Sequence, residues 1–453
     1  MLPVLTPSEM AAVDAAAREP VEVLIERAGA AVAHAALEMV GGGYGRHVVV
    51  LAGPGNNGAD GRAAARRLRR RGARVDVVDI AAAPARLAPC DLVVDAAFGT
   101  GFRGEHTAPD PGATPVLAVD IPSGVSGLTG STCGQVLSAQ RTVTFAALKP
   151  GLLFQPARDL AGAVSVADIG LDVGTSAAVL VEEADVAGWV PARRSEGHKW
   201  QSALLVIAGS PRMSGAANLV AAAAQRAGAG MVRVGSPGVA DDPGRPVEAV
   251  GVELEHDDWG AAAERCQAMV IGPGLGRAAA TVAEVRRTLA SVPLPAVVDA
   301  DGLVALGTDA ADVLKHRGAD TVLTPHDGEF EHLMGERPGP DRIAAARSLA
   351  QRSGAVTLLK GSTTVVAHPD GRVRVTTTGD GRLATAGTGD VLSGVIGAML
   401  ARGAAAFDAA AAGAWLHGSA GRLGPVEGFI ARDLIHHLPT VLDAARAAGG
   451  GER

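Results

Sequence analysis

Short apolar runs alternate with amphipathic stretches along nearly the whole chain. Residues 47–52 (HVVVLA), 75–80, 91–96 and 115–120 each read as a strand, with shorter ones at 142–146 and 164–167. Continuous apolar character marks strands covered on both faces. Residues 6–40 read as helical. Thr6-Pro7-Ser8-Glu9 has the form of a capping box with proline at the first helical position, and residues 22–39 carry apolar side chains at helical spacing. Residues 62–71 read as a basic helix. The alternation restarts in the second half. Strands are expected at 203–208, 231–234, 268–271, 295–298, 321–323 and 356–359, helix at 214–227, and a hairpin at 365–375 around Pro369-Asp370-Gly371. Strands alternating with helices predict parallel, doubly wound α/β sheets.

The pattern breaks between 182 and 197, where Trp189-Val190-Pro191-Ala192-Arg193-Arg194-Ser195 is charged and contains proline. We place a boundary there, giving domains 1–190 and 191–453. Two domains are also the natural expectation for 453 residues. A composition 47% hydrophobic and 20% charged is globular. The net charge of −7, with a pI near 6.0, argues against nucleic-acid or anionic-membrane partners. Cys90, Cys133 and Cys266 show no CxxC or pairing pattern, which fits a reduced protein. The start MLPVLTPSEM has no basic n-region or long apolar stretch, and no apolar run reaches membrane-spanning length, so a cytoplasmic location is expected.

The polar clusters fall just after strands, at the carboxyl ends where such sheets bind ligands. In the first half, Asn56-Asn57-Gly58-Ala59-Asp60 follows one strand and opens a helix. Alone it is equally a tight turn, since asparagine tolerates left-handed backbone. Other strand ends carry Asp95, Gly99-Thr100-Gly101 and Asp120-Ile121-Pro122-Ser123, and several such ends in one sheet favour a site. Neutral oxygens with one or two carboxylates suit a weakly charged hard cation better than zinc. Gly53-Pro54-Gly55 does not make the dinucleotide fingerprint, so ordinary NAD redox chemistry is not supported.

In the second half, Ala384-Thr385-Ala386-Gly387-Thr388-Gly389-Asp390 precedes an apolar, helix-compatible run. A glycine turn entering a helix presents free N–H groups and positive dipole potential to a phosphate. Asp390 would repel that anion unless it handles a proton or a cation; the bland reading is a turn with a capping aspartate. Gly272-Pro273-Gly274-Leu275-Gly276, His326 and Lys360-Gly361-Ser362-Thr363-Thr364 also stand at strand ends, each with a structural reading beside the functional one. No Walker motif is present.

Taken in order, these motifs resemble the bifunctional NAD(P)H-hydrate repair enzymes, an epimerase domain fused to an ADP-dependent dehydratase domain. In the first half the likeness rests on Asn56-Asn57-Gly58-x-Asp60-Gly61, Asp95-x-x-x-Gly99-Thr100-Gly101 and Asp120-Ile121-Pro122-Ser123-Gly124. In the second it rests on Gly209-Ser210, Ser214-Gly215-Ala216-Ala217, Gly272 to Gly276, Thr324-Pro325-His326-x-Gly328-Glu329, Lys360-Gly361 and Gly387-Thr388-Gly389-Asp390. The family implies a Rossmann-like three-layer sandwich followed by a ribokinase-like α/β domain. It implies a potassium ion on Asn57, Asp95 and Ser123. Asn56, Asn57, Gly58, Ala59, Asp60, Gly99, Thr100, Gly101, Phe102, Arg103, Gly104, Glu105 and Asp120 would contact the hydrated cofactor (NADHX or NADPHX). In the second domain Ala216, Gly276, His326 and Asp390 would contact it, with Lys360, Gly361, Ser362, Thr363, Thr364 and Gly389 on ADP and its magnesium ion. A homo-oligomer is implied as well. Ala59, Asp327, Asp380-Gly381 and Trp200 depart from the family's usual glycine, proline, Asn-Pro and glycine. The Trp200 and Asp380 changes bear on pocket shape.

The resemblance implies that the first domain interconverts the R and S hydrates, with Asp120 either stabilising a ring cation or orienting the substrate. The second would restore the double bond of the S hydrate. Hydroxide leaves poorly, so a nucleotide phosphate activates it. In kinases of this fold an acid at the Asp390 position deprotonates the attacking hydroxyl. A ribokinase-like small-molecule kinase fused to a nucleotide-binding module is the rival reading.

Overall fold

The computed structural model describes residues 1–192, 196–254 and 258–449. Cα packing divides the chain into Leu2–Ala178 and Val179–Arg453, the latter together with Met1. Helix Glu183–Trp189 therefore goes with the second unit, where Val186 shares a core with Leu204 and Val441. Of the stretch used for the 190/191 boundary, Arg193, Arg194 and Ser195 lie outside the described residues.

The first unit is a parallel sheet in the spatial order Arg74–Asp79, His47–Ala52, Leu92–Ala96, Val116–Val119, Arg141–Phe145, Ala163–Ala167. Val48, Val50, Leu92 and Val94 face helices Val21–Val40 and Asn56–Arg70. Val49, Leu51 and Val93 face the other side, where Leu87, Ala108 and Leu137 from irregular segments form the third layer. Both faces are buried, which is why these strands read as unbroken apolar runs. The two helices cross closely at Gly29, where a Cβ would fall 2.4 Å from Ala63 Cβ. The expected helix over 6–40 is two helices, Pro7–Ala15 and Val21–Val40. Pro20 interrupts it, because its ring and missing N–H cannot continue a helix. The Thr6–Glu9 capping box forms: Thr6 N donates to Glu9 Oε2 at 2.7 Å, and Glu9 N donates to Thr6 Oγ1 at 3.2 Å.

The second unit's sheet runs Val373–Thr376, Thr364–Ala367, Val356–Leu359, Thr321–Leu323, Ala296–Val298, Ala268–Ile271, Ala203–Ile207, Met231–Gly235, Val250–Gly251. It is parallel except at the expected hairpin, Thr364–Ala367 with Val373–Thr376, which also pairs antiparallel with Val356–Leu359. Helix Thr388–Ala401 is buried along nearly its whole length, so its sequence is apolar all round. It packs on helix Ser214–Arg226 so tightly that a Cβ on Gly394 would lie 2.3 Å from Val220 O. Among the described residues no helix is long and apolar enough to cross a membrane.

In each sheet the strand order reverses beside one strand, next to His47–Ala52 in the first and Ala203–Ile207 in the second. Such switch points open a crevice at the carboxyl ends. Gly53 and Ala97 stand at the first; Gly209 and Gly272 stand at the second.

Candidate active sites

A cavity of ≈ 620 Å³ opens at the first switch point. Asn56, Asn57, Asp60, Gly99, Thr100, Gly101, Phe102 and Asp120 line it. Gly58, Ala59, Arg103, Gly104 and Glu105 are not among its lining residues. The asparagines lie inside helix Asn56–Arg70 rather than in a turn before it. Gly58 permits this, because a Cβ there would fall 2.0 Å from Gly53 O. Ala59 has ordinary helical backbone, so its methyl needs no left-handed geometry.

Asp95 and Ser123 sit beneath, both fully buried. Ser123 Oγ donates to Asp95 Oδ1 at 2.6 Å and Ser123 N to Asp95 Oδ2 at 2.9 Å. Burial raises the Asp95 pKa, and these hydrogen bonds oppose the rise. Asn57 is buried too, and neither its Oδ1 nor its Nδ2 has a partner. A buried amide oxygen without a partner is costly, and a hard cation is one thing that would satisfy it. Asp95 and Ser123 add further oxygen donors, the ligand type that a hard cation takes.

Asp120 carries a left-handed φ of 66°, and its Oδ1 is 2.7 Å from Lys149 Nζ. Asp60 and Asp14 share the cavity. Burial, then the charges of Asp120 and Asp14, push Asp60 up to about 8, so its carboxyl is largely neutral at pH 7. Lys149 and Asp14 were not anticipated from the sequence. Lys149 stands four residues beyond the end of its strand, and no motif flags it.

At the second switch point Gly272, Gly274 and Gly276 all adopt positive φ. A Cβ on Gly272 would lie 1.9 Å from Asp299 O, and one on Gly274 would lie 3.0 Å from Ala216 Cβ. Gly276 N donates to Asp301 Oδ2 at 2.8 Å. The turn is thereby fixed beside Ala216 and the Asp299 strand end. Lys360 Nζ lies 2.8 Å from Asp299 Oδ1 and 3.3 Å from Glu329 Oε2. Ser393 Oγ donates to the other Asp299 oxygen at 2.7 Å. A Cβ on Gly389 would be 3.7 Å from Lys360 Nζ, which puts the lysine at the head of helix Thr388–Ala401. Burial, followed by the charge of Asp299, raises Asp390 to about 7; Lys360 opposes the rise and Glu329 adds to it. A carboxyl poised near neutrality suits a general base.

His326 caps helix Asp327–Met334. Its Nδ1 accepts from Gly328 N at 3.0 Å and Glu329 N at 3.2 Å, while the side chain is exposed. Arg342 pairs with Asp327 at 2.9 Å and donates to Lys360 O at 2.8 Å, so Asp327 helps brace the lysine segment. His417 is buried, with Nε2 2.8 Å from Thr388 O, and burial drives its pKa down to about 4. The neutral ring thus donates to that carbonyl and pins the glycine turn. Lys360 to Thr363 form the connection between two strands, with Thr363 buried, and Thr364 already begins the second strand. Asp380 accepts from Arg382 N at 3.0 Å and so starts its own turn without a proline. Trp200 lies before strand Ala203–Ile207, under Arg265 at 4.1 Å, at the end of the sheet away from the site. Asp299 and Ser393 are groups that the sequence did not single out, and Glu329, quoted as part of the His326 motif, had no role assigned.

Two doubly wound units, each with a polar crevice and a perturbed carboxyl, define a two-site α/β enzyme. Residues 204–440 match the NAD(P)H-hydrate dehydratase family, and 21–87 and 79–151 match the YjeF-related protein N-terminus. The bifunctional NAD(P)H-hydrate repair enzyme Nnr of Moorella thermoacetica is 36% identical, covering 88% of this chain and 87% of its own. That of Mycobacterium tuberculosis is 42% identical over 82% of each. The chain belongs to the family of bifunctional NAD(P)H-hydrate repair enzymes. Among solved structures, the ADP/ATP-dependent NAD(P)H-hydrate dehydratase of Bacillus subtilis, co-crystallised with ATP/Mg2+, is similar to 58% of this chain and 97% of its own, with a TM-score of 0.51 at 30% identity. A ribokinase-like superfamily protein of Enterococcus faecalis shares the fold, with a TM-score of 0.53 at 22% identity over 60% of this chain and 98% of its own.

Proposed function

We propose that this chain repairs hydrated NADH and NADPH at two sites. The first interconverts the R and S hydrates, and the second dehydrates the S hydrate using ADP. The observation that carries this reading is Asp390, raised to about 7 at the head of a buried helix and beside Lys360, in a chain that matches the repair family in both halves. In the second site Asp390 takes the proton of the substrate hydroxyl as that oxygen attacks the terminal phosphorus of ADP. AMP leaves and a phosphate ester forms. The ring nitrogen's lone pair then expels phosphate, the neighbouring carbon loses a proton, and the double bond returns. Lys360 and the N–H groups at 387–389 stabilise the transferring phosphoryl group. Lys360 to Thr364 and Gly389 hold the nucleotide, while Ala216, Gly276 and His326 hold the hydrate. Asp299 and Glu329 pair with the Lys360 ammonium and their charge also acts on Asp390; a magnesium ion carried by the phosphates would offset the charge of this carboxyl cluster.

In the first site Asp120 faces the ring that becomes cationic as hydroxide leaves, and Asp60 is a neutral donor for that hydroxide. Re-addition of water to the other face completes epimer exchange. Asn57, Asp95 and Ser123 would hold potassium, which would fix the loop ends under the substrate. We place the protein in the cytoplasm on the sequence features above, and as a homo-oligomer on the family reading. Incubating the chain with ADP and a mixture of hydrated NADH epimers tests the reading. Full return of the near-ultraviolet absorbance of reduced nicotinamide, with AMP and phosphate, is expected. A phosphorylated alcohol accumulating in its place would establish the kinase instead.

A further inference from the structure

Asp120 lies where the fold strains its backbone to reach the cavity. Its φ of 66° is left-handed, which aspartate tolerates better than most side chains. Asp120 N donates to Val143 O at 2.7 Å, which locks that backbone to the next strand. The side chain then has two unlike oxygens. Oδ1 meets Lys149 Nζ at 2.7 Å and accepts from Thr144 Oγ1 at 3.1 Å. Oδ2 points to the glycine turn, 3.4 Å from where a Cβ on Gly99 would stand.

Lys149 is itself 2% exposed. Its ammonium donates to Thr144 Oγ1 at 2.8 Å and Phe145 O at 2.9 Å besides its contact with Asp120. Two of its protons are therefore given to neutral protein oxygens, and its charge is paired with Asp120. Among the described residues it is the one cationic side chain lining the cavity, against Asp14, Glu19, Asp60 and Asp120. A lysine so placed cannot hand a proton to a substrate without breaking a buried contact. What it can do is hold a carboxylate.

We propose that Lys149 is a positioning residue for epimer exchange: with Thr144 it occupies Asp120 Oδ1 and keeps Oδ2 aimed at the ring that turns cationic. The proposal rests on the reading of the first unit as the epimerase. The ring cation forms when the carbon–oxygen bond breaks and the nitrogen lone pair moves in, so an anion fixed on that side favours the transition state over the neutral hydrate. A fixed oxygen needs no reorganisation, which a solvated carboxylate would.

The test follows exchange of separated R and S hydrates of NADH by the full chain, with ADP-dependent dehydration of the S hydrate as the control for intact protein. Lys149→Ala should lower kcat for exchange about a hundredfold with KM changed less than about threefold, and leave dehydration unaltered. Added methylammonium should restore exchange saturably, whereas tetramethylammonium, too large for the vacated space, should not. A merely structural lysine would give neither the kcat-selective loss nor the size-selective rescue. Should Lys149→Ala fail to fold, Thr144→Val removes one hydroxyl at nearly constant volume and should lower kcat about tenfold at unchanged KM. Exchange within threefold of the parent in whichever variant folds, or loss confined to KM, overturns the proposal. If the parent chain does not exceed the spontaneous exchange rate, the epimerase reading itself fails, a separate result from the unaltered variant.

Discussion

The Lys360 ammonium lies 2.8 Å from the Asp299 carboxylate, and Asp299 takes a hydroxyl from Ser393 on its other oxygen. Asp299 is buried, so this pair sets the charge at the head of helix Thr388–Ala401. Lys360→Met removes the cation and leaves Asp299 and Glu329 facing one another. The expected result is a C-terminal unit weaker by about 2–3 kcal/mol in denaturant unfolding, because the remaining buried charge is uncompensated. Nucleotide-dependent activity should be lost with it.

Asp390 gives a pH dependence of defined sign. Its folded pKa is about 7, above the ordinary 3.8, and burial is the main cause. A base must be ionised, so dehydration should rise with pH through about 7. Stability runs the other way. The folded state favours the protonated form, so this contribution is complete below pH 3.8 and is lost as pH climbs through 7. Asp390→Asn should therefore match the parent in thermal unfolding near pH 4 and exceed it by a few degrees at pH 8. Equal melting at both values would contradict the raised pKa.

Two glycines in the same turn should fail differently. Gly387 has a φ of 87°, and a Cβ there would sit 2.5 Å from Leu219 Cδ1. Gly387→Ala should destabilise the unit by about 1–3 kcal/mol. Gly389 has helical backbone and room for a methyl, with 3.7 Å to Lys360 Nζ. Gly389→Ala should melt normally and raise KM for ADP at least tenfold, because the methyl lies where the phosphate must approach.

Much of this was legible because the physics was local. The buried strands announced themselves through apolar runs, and the Thr6–Glu9 box through its spacing. Gly387, Gly389 and Asp390 read as a phosphate turn because helix termini have one chemistry. The unseen parts are non-local. Pairing of Lys149 with Asp120 depends on two separate strand ends meeting. The Lys360, Asp299 and Glu329 cluster gathers two strand ends and the first turn of a helix, separated by up to sixty-one residues. Trp200 shows the converse, for its proximity to a family motif suggested the pocket, and strand direction puts it at the other end. The turn stood as the bland reading of Asn56 and Asn57 because asparagine tolerates left-handed backbone, and the helix expected at 62–71 starts at Asn56 instead, where the close approach of Gly58 to Gly53 lets it begin.

The unpartnered Asn57 amide predicts an ion requirement confined to the first site. Exchange of epimers should fall severalfold when lithium replaces potassium, whereas first-order dehydration of the S hydrate should respond far less. Asn57→Leu, which removes the amide oxygen, should abolish the difference between the two ions. Retained potassium activation in that variant would remove Asn57 from the ion site.

The central claim is that one chain holds two separable reactions, and paired variants address it most directly. R and S hydrates of NADH are followed separately, with ADP present, in Asp390→Asn and Asp120→Asn. Asp390→Asn should keep enzymatic exchange and lose dehydration by at least about a thousandfold. Asp120→Asn should dehydrate the S hydrate at the parental rate and leave the R hydrate to decline at the spontaneous exchange rate. Dehydration persisting in Asp390→Asn, or either substitution abolishing both reactions in a folded protein, would contradict the account.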